Sequence, residues 1–425
     1  MTTATLAPSP TTPPHPRPAT APTTSAQAPC RDPRHRAGSP AFRRVNFALL
    51  AAGIATFALL YSTQALLPAI SDGLGLSPAR ASLTVSFATG ALALAVIPVS
   101  ALSERYGRTT VMTVSVFAAA VLGLLVAVAP NAETLLALRA LQGVALAGLP
   151  ATAMAYLAEE VHPGSLAGAM GLYVAGNSIG GMSSRLLTGA VSDAWGWRWA
   201  LAAVGAVALL AAVAFRLLLP RARNFRPSPV SPRALLRTLG GHLGDPAMRR
   251  LYAAGLLLMA VFGAVYNLVG YRLAAAPFSL PETAVGLVFL VYLAGTVTSA
   301  RTGALTARFG RAGVLHGGVA LAAVGILATL SDLLPVVLLG LVLVTAGFFA
   351  GHSTASAAVS GRAATGRAQA TALYLGAYYL GSSLGGPVAG VPFQTFGWPA
   401  VVVFALLALA ATAALVPRAA LRPGR

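Results

Sequence analysis

The sequence contains no lysine, one cysteine and few charged residues of either sign. A nucleotide-binding P-loop needs a lysine to contact the phosphates, so this chain carries no ATP-driven pump. The lone Cys30 excludes a disulfide framework and a cysteine metal site. The six histidines show no His-Glu-x-x-His spacing. We therefore expect no enzyme activity, no metal and no cofactor.

Charge is scarce and apolar residues are abundant. Charged residues make up 9% of the chain and apolar residues 56%, with a mean hydropathy of +0.75. A soluble domain carries about 25% charged residues, which it needs to cover its surface. The composition therefore predicts an integral protein of the lipid bilayer. The net charge of +19 does not indicate a nucleic-acid partner, because the arginines are dispersed over short connectors.

Two motifs occur twice at nearly the same spacing. Ser100–Arg108 returns in similar form at Gly303–Arg311, 203 residues later. The Gly171–Gly181 stretch returns at Gly376–Gly386, 205 residues later. Because two independent matches agree, the chain is predicted to be a duplicated unit of about 200 residues.

From residue 43 onward, apolar stretches long enough to cross about 30 Å of hydrocarbon follow one another. They predict an all-α integral membrane fold with twelve transmembrane helices in two six-helix halves. The N-terminal half, residues 43–220, has predicted spans at 45–70, 80–101, 111–129, 134–157, 167–191 and 197–218. The C-terminal half, residues 251–417, has predicted spans at 251–273, 284–305, 312–330, 334–359, 369–391 and 398–416.

Polar segments flank these halves. Residues 1–42 are rich in Pro, Thr, Ala and Ser without apolar periodicity, which predicts a disordered leader. Residues 221–250 form an arginine-rich central loop, and residues 418–425 form a short tail. Most arginines fall in these segments and in the loops after spans 2, 8 and 10. By the positive-inside rule, both termini are predicted to be cytoplasmic, in a bacterial cytoplasmic membrane.

The repeated loop motif resembles a signature of the major facilitator superfamily, roughly Gly-x-Leu-x-Asp-Arg-x-Gly-Arg. In the first copy Leu102, Arg105, Gly107 and Arg108 match, while Ser100 and Glu104 replace the glycine and the aspartate. In the second copy Gly303, Leu305, Arg308, Gly310 and Arg311 match, and Ala307 stands at the acidic position. Span 4 carries Arg139-Ala-Leu-Gln-Gly143, and span 5 and its flanks are similar to the YnfM-type branch of the drug:proton antiporter group.

The resemblance implies a conformational latch in the loop motif. Its residues would be Glu104, Arg105, Gly107 and Arg108, with Arg308, Gly310 and Arg311 in the second copy. By resemblance, Glu104 faces the start of span 11 and favours the outward-facing state. The alternative is that the arginines only anchor span ends by the positive-inside rule.

Arg139 lies inside span 4, where a charge costs on the order of 3 kcal/mol, so it should face the bundle interior. Gln142 lies three residues further on the same helical face, followed by Gly143. The resemblance implies that these residues couple proton and substrate. The alternative is a structural arginine satisfied by backbone carbonyls.

Other polar side chains within the spans are candidates for a substrate pathway. They are Tyr61, Gln64, Asn177, Arg185, Tyr266, Asn267, His352 and Tyr378. Arg185 is a second embedded charge, and two interpretations remain open for it. Either it pairs with Asp193 as a structural ion pair, or it attracts an anion.

None of the ten acidic residues lies in the middle of a span. Proton-coupled carriers commonly titrate an embedded carboxylate, so proton coupling follows here from the resemblance alone. Glu159, Asp193 or His352 would carry the proton near the span ends, or the substrate would carry it.

These features predict a secondary active transporter that moves a small organic solute by alternating access. The resemblance favours proton-coupled efflux by a monomer. Solute uptake by symport is the alternative, and a non-transporting membrane sensor is a weaker one. Two embedded arginines and no embedded acid favour a neutral or anionic compound over a cationic drug.

Overall fold

The computed structural model describes residues 2–3, 34–225, 231–417 and 421 of the 425-residue chain. The chain divides into two units, Met1–Pro33 and Arg34–Arg425, and all the described helices lie in the second. Most of the predicted leader and of the predicted tail therefore lies outside the described residues. Near the end of the predicted leader, the His35 amide donates to the Glu160 carbonyl at 2.8 Å.

The first half contains eight helices, of which several begin at local start signals. They are α1 (Pro40–Leu60), α2 (Leu67–Leu74), α3 (Pro78–Tyr106), α4 (Arg108–Ala127), α5 (Ala132–Leu146), α6 (Pro150–Glu160), α7 (Pro163–Trp195) and α8 (Trp197–Leu218). The side chains of Ser39, Ser77 and Asn131 accept an amide of the first turn of α1, α3 and α5. Such caps satisfy donors that a helix start leaves unpaired.

The connector and the second half contain seven further α-helices. They are α9 (Pro232–Gly244), α10 (Pro246–Ala274), α11 (Glu282–Val288), α12 (Tyr292–Ala328), α13 (Leu334–Arg362), α14 (Arg367–Phe396) and α15 (Trp398–Leu415). A 3-10 helix, Phe289–Val291, joins α11 to α12. The central loop predicted at 221–250 thus contains the helix α9.

Nine helical stretches of the described residues are long and apolar enough to cross a membrane. One of them, Glu282–Ala328, breaks at Gly310, which has a φ of 72°, and makes two crossings. Helices α7 and α14 are equally long, but their glycines and serines dilute their apolar content. With these two, the described residues make twelve crossings in two halves, which confirms the predicted all-α membrane fold.

Two predicted spans of the first half are broken helices. Span 45–70 divides at residues 61–66, and Pro68 lies in the first turn of α2. Span 134–157 divides before Pro150, which begins α6. Proline has no backbone N–H, so it fits the start of a new helix and interrupts a continuous one. The break in span 1 leaves carbonyls at the end of α1 without intrahelical donors.

Equivalent glycines bring helices into backbone contact in each half. A Cβ at Gly180 of α7 would collide with the backbone of Ile54 in α1. Gly385 of α14, at the repeat shift of 205, has the same relation to Ala260 of α10. The duplicated motif therefore encodes one close helix packing twice.

The two halves are joined at one face. We call the end of the helices at which α1 begins and α15 ends the terminal face, and the opposite end the far face. Within the described residues, the hydrogen bonds between the halves join Gln64 to Asn267, Leu67 and Ser71 to Tyr271, Ser86 to Ser383, and Asp193 to Glu282 and Thr283. All lie between the middle of the helices and the far face. These hydrogen bonds therefore hold the halves together at the far face.

The connector between the halves is attached at both of its ends. The buried Glu160 of α6 accepts the amides of Arg223 and Asn224, each at 2.7 Å. At the other end, Asp245 caps α10 and lies 2.7 Å from the Arg362 Nε of α13. Burial raises the pKa of Asp245, but hydrogen bonds, first from Arg362, outweigh it and hold the pKa below its ordinary 3.8.

Candidate functional site

A cavity of about 440 Å³ lies between the halves, near the middle of the helices. Helices α1 and α7 face α10, α12, α13 and α14 across it. Six of the predicted pathway residues line its wall: Tyr61, Gln64, Asn177, Arg185, His352 and Tyr378. Much of the remaining wall is apolar, with Phe57, Met182, Met259, Phe262 and Phe349 among its side chains.

Arg185 of α7 supplies the only fixed charge on the described wall of the cavity. Its side chain is 2% exposed. Its Nε donates to Gln64 Oε1 at 2.9 Å, Nη2 donates to the same oxygen, and Nη1 donates to the Gly181 carbonyl. These acceptors are neutral, so they orient the guanidinium without cancelling its charge.

Three aromatic rings from both halves surround this guanidinium. The ring centres of Tyr61, Phe289 and Tyr292 lie 4.9, 4.9 and 5.0 Å from the Arg185 Cζ. At these distances the electron-rich ring faces attract a cation. Phe289 and Tyr292 belong to the 3-10 segment and the start of α12, so the second half completes the surroundings of an arginine from the first.

Asp193 does not serve as the counterion of Arg185. Its two carboxylate oxygens accept the amides of Glu282 and Thr283, at 2.9 and 2.7 Å, at the start of α11. A carboxylate is stabilised at a helix start by these unpaired donors. The ion-pair interpretation of the sequence was therefore wrong, because Asp193 holds the far face together instead.

The break between α1 and α2 positions Tyr61 and Gln64 at the cavity. While its oxygen accepts from Arg185, the Gln64 Nε2 donates to Asn267 Oδ1 of α10 at 2.7 Å. One polar chain thus runs from Arg185 through Gln64 to the other half. Asn267 lies behind the cavity wall, and its Nδ2 is buried without a hydrogen-bond partner.

Arg139 of α5 is fully buried and satisfied mainly by backbone carbonyls. It donates to Leu59 O and Thr84 O, each at 2.8 Å, and to Leu60 O. Leu59 and Leu60 end α1, so the guanidinium caps carbonyls at the helix break. Leu59 O also accepts from Ser62 Oγ at 3.0 Å, and the Leu60 carbonyl accepts from the guanidinium. These contacts match the alternative that Arg139 is a structural arginine satisfied by backbone carbonyls. Arg139 therefore supports the segment that carries Gln64.

The other members of the predicted coupling motif hold α5 in place. Gln142 Oε1 accepts from Arg139, and its Nε2 donates to Ala119 O of α4 at 3.0 Å. A Cβ at Gly143 would collide with the Ala88 carbonyl of α3. Both residues therefore fix the packing around Arg139, and the coupling role stays a prediction.

The remaining pathway candidates occupy different depths. His352 lies on the wall with its Nδ1 3.0 Å from the Tyr374 hydroxyl, and its ring centre is 4.7 Å from that of Tyr378. Asn177 lies on the wall and has a buried Oδ1 without a partner. Tyr266 lies behind the wall, where its hydroxyl donates to Leu341 O at 3.3 Å.

The first loop motif forms a charge cluster at the terminal face. Arg108 lies 3.0 Å from Glu159 and 3.7 Å from Glu104, all within the first half. Gly107 has a φ of 92°, a conformation that side chains disfavour, and so allows the tight turn between α3 and α4. The Arg105 guanidinium lies 5.4 Å from the Tyr106 ring. Glu104 thus pairs inside its own half, and the latch to span 11 stays a prediction.

The second motif copy repeats the turn. Gly310 has a φ of 72°, the counterpart of the first copy's glycine. The Arg308 guanidinium lies 5.1 Å from the Phe309 ring, and a Cβ at Gly361 would lie 3.4 Å from Arg311 Nη2. With Ala307 at the acidic position, this copy has no counterpart of the Glu104 contact.

Two aromatic rings beside the Arg185 guanidinium, and one hydrogen bond between the halves, were not predicted from the sequence. Phe289 and Tyr292 carry no sequence signal, because aromatic residues in an apolar span are as common at lipid as in a cavity. The pairing of Gln64 with Asn267 did leave a signal. The two residues are 203 apart, the shift of the first repeated motif, so they occupy equivalent positions in the two halves.

Twelve crossings in two duplicated halves around a central cavity define the architecture of a secondary membrane transporter. The sequence profile of the Major Facilitator Superfamily matches residues 47–274. The inner membrane transport protein YnfM of Escherichia coli K12 is 42% identical over 372 residues, covering 88% of this chain and 89% of that protein. The chain therefore belongs to the major facilitator superfamily and is a membrane transporter of the YnfM type.

Two further comparisons agree with this assignment. The MFS-type transporter YybF of Bacillus subtilis is 39% identical over 367 residues, covering 86% of this chain and 91% of that protein. Among solved structures, an inward-facing bacterial homolog of the human lysosomal transporter Spinster aligns with a TM-score of 0.69 at 18% identity. That alignment covers 89% of this chain and 94% of the other, and it shows the shared fold.

Proposed function

We propose that the protein is a secondary active transporter that moves a small organic solute across the bacterial cytoplasmic membrane by alternating access, exporting it in exchange for protons. One observation carries the proposal: a cavity midway along the helices, between homologous halves that the described hydrogen bonds join at the far face. Alternating access requires such a state, and rocking of the halves about the site produces the opposite one.

The arginine distribution supports a cytoplasmic terminal face. The conformation described above is then the inward-open state. In the outward-open state, Glu104 would leave Arg108 and reach the start of α14. A carboxylate near a helix N-terminus is favourable by about 0.3–1 kcal/mol, which is enough to bias a balanced equilibrium.

Export and proton coupling rest on the resemblance to the antiporter branch. No acidic side chain lies on the described cavity wall, where His352 is the side chain of a type that ordinarily titrates near neutral pH. We propose that either His352 or the solute itself carries the proton. The predicted coupling motif would contribute indirectly, because Arg139 supports the segment from which Gln64 reaches the cavity.

A reversible lock tests alternating access. Asp193 and Thr283 are in direct contact at the far face, so Asp193→Cys with Thr283→Cys, in a Cys30→Ser background, provides a cross-link between the halves. We expect oxidation to stop solute flux in proteoliposomes and reduction to restore it. Each single cysteine variant should be insensitive to oxidation. Flux that continues through the cross-linked protein would refute alternating access.

Vesicles of known orientation test the direction. In everted membrane vesicles, proton-driven export predicts solute accumulation when the lumen is acidified, and loss of accumulation when the gradient is collapsed. Uptake by symport predicts accumulation only in right-side-out vesicles with an acidic exterior. A solute that binds but moves in neither orientation would support the sensor alternative.

A further inference from the structure

We infer that the cavity binds an amphipathic organic anion, and that Arg185 pairs with its carboxylate. This inference names the substrate class of the site and rests on the proposed function only for the movement of the solute. Its basis is the contrast between a buried guanidinium and a described cavity wall that contains no acidic side chain.

The charge of Arg185 is costly where it lies. Removing an ion from water costs several kcal/mol unless a counterion compensates it. Its recorded hydrogen-bond acceptors, Gln64 Oε1 and the Gly181 carbonyl, are neutral. Asp193 stands eight residues further along α7, about 12 Å at the helical rise, and is bonded to α11. A carboxylate from the solute would supply the missing charge.

The site also has donors left for such a group. A guanidinium carries five N–H groups in a planar fork, and three hydrogen bonds account for part of that set. The Tyr292 hydroxyl, on the cavity wall, is buried without a hydrogen-bond partner. Its ring centre lies 5.0 Å from the Arg185 Cζ, so the tyrosine and the guanidinium lie at the same part of the cavity.

Gln64 marks the place that the carboxylate would take. Its side-chain oxygen accepts from both Nε and Nη2 of Arg185, and this is the edge of a guanidinium that can bind the two oxygens of a carboxylate. The neutral amide oxygen of Gln64 therefore occupies the carboxylate-binding edge of Arg185 without carrying a negative charge. A solute anion can therefore displace it with a gain in electrostatic energy.

The rest of the cavity defines the body of the solute. Its volume of about 440 Å³ falls in the range of small-molecule sites, and Phe57, Phe262, Phe349 and Met259 make the wall apolar. No second fixed cation lies on the described wall, which disfavours a dianion. A cationic solute would meet the Arg185 charge without an acid to offset it. The fitting class is an aromatic or aliphatic monocarboxylate.

Three compounds that share a naphthalene body and carry an anionic, a neutral or a cationic head group provide the test. They are 2-naphthoate, the neutral 2-naphthamide and the cationic 2-naphthylmethylammonium, titrated calorimetrically into the purified full-length protein in detergent. Hydrogen bonds to charged groups contribute about 1.5–3 kcal/mol, so naphthoate should bind at least about tenfold more tightly than the amide. The amine should bind most weakly.

Arg185→Gln should remove the preference for naphthoate while leaving the affinity for the amide. Arg80→Gln is the matched control, since it removes the same charge from a side chain that is 61% exposed. Gln64→Glu should place an internal carboxylate against Arg185 and abolish naphthoate binding, and it provides a second test if Arg185→Gln fails to fold. No naphthoate binding, equal acid and amide affinities, or a preference that survives these two substitutions would overturn the inference.

Flux measurements separate this inference from the proposed function. Naphthoate that binds through Arg185 but is never moved would leave the anion site standing and refute transport. If the amide moves and is stopped by the far-face cross-link, while naphthoate neither binds nor moves, transport stands and the anion site fails.

Discussion

Gly189 should control whether the far face can close. It lies on α7 where this helix meets α11 of the other half. A Cβ added there would be 2.7 Å from the Glu282 carbonyl oxygen and 3.2 Å from the Gly286 Cα. Both neighbours are backbone atoms and cannot rotate away. Gly189→Ala is therefore expected to push the halves apart at the far face.

The size of the effect follows from the overlap. Adding a methyl group to a tightly packed site costs about 1–3 kcal/mol. The contact exists only while the far face is closed, so this cost falls on that conformation and not on the opposite one. The closed population should fall about 5- to 150-fold relative to the far-open population.

Spin labels on the two halves can measure this shift by double electron–electron resonance. Trp195 and Phe396 end α7 and α14 at the far face and are 70% and 71% exposed, so cysteines there can be labelled in a Cys30→Ser background. Gly189→Ala should add a population at longer distance. Gly171→Ala, also on α7 with no atom within 4 Å of an added Cβ, is the matched control. An unchanged distance distribution in a stably folded Gly189→Ala protein would refute the argument.

Three further predictions concern the supports of the fold. Arg139→Gln should lower the melting temperature in detergent, because the buried Leu60 carbonyl would lose its guanidinium donor and a buried acceptor without a donor costs about 1–3 kcal/mol; an unchanged melting curve would contradict the capping role. Glu160→Ala should speed tryptic cleavage after Arg223, since the connector loses its acceptor, and cleavage at the wild-type rate would argue against that attachment. Because the folded pKa of Asp245 is lowered, its pair with Arg362 stabilises the protein fully above about pH 4 and is lost as the pH falls through the lowered pKa. Protection of the first-turn amides of α10 against hydrogen exchange, relative to an unfolded chain, should therefore stay constant from pH 8 to about pH 5. Asp245→Asn should lower this protection throughout. Equal protection in the two proteins would count against this role.

The architecture was predictable because the bilayer imposes it. A chain in hydrocarbon must satisfy its backbone within helices of about 20 apolar residues, and hydropathy detects such segments. The repeat added the division into halves, and the embedded Arg185 and His352 stood out because charge and polarity are rare there. Six of eight predicted pathway residues line the cavity for this reason.

What the sequence could not provide was the identity of partners. Arg139 binds backbone carbonyls, which every residue carries and no sequence pattern marks. The break at residues 61–66 changes backbone hydrogen bonding and not hydropathy, so it was invisible to a window average. From the sequence, Asp193 was one possible partner of Arg185, the nearest embedded charge along the chain, whereas the fold brings it to a helix start from the other half.

The bond between Gln64 and Asn267 joins positions related by the repeat. If the halves were two identical chains, the residue at this position would meet its own copy on the symmetry axis. An amide suits such a meeting, since it carries both a donor and an acceptor and can pair with itself. In a single chain the two halves need not have identical sequences. At the shift of 205, the residue equivalent to Arg185 is Gly390. The cavity therefore combines a scaffold built by symmetry with a charge that belongs to one half alone.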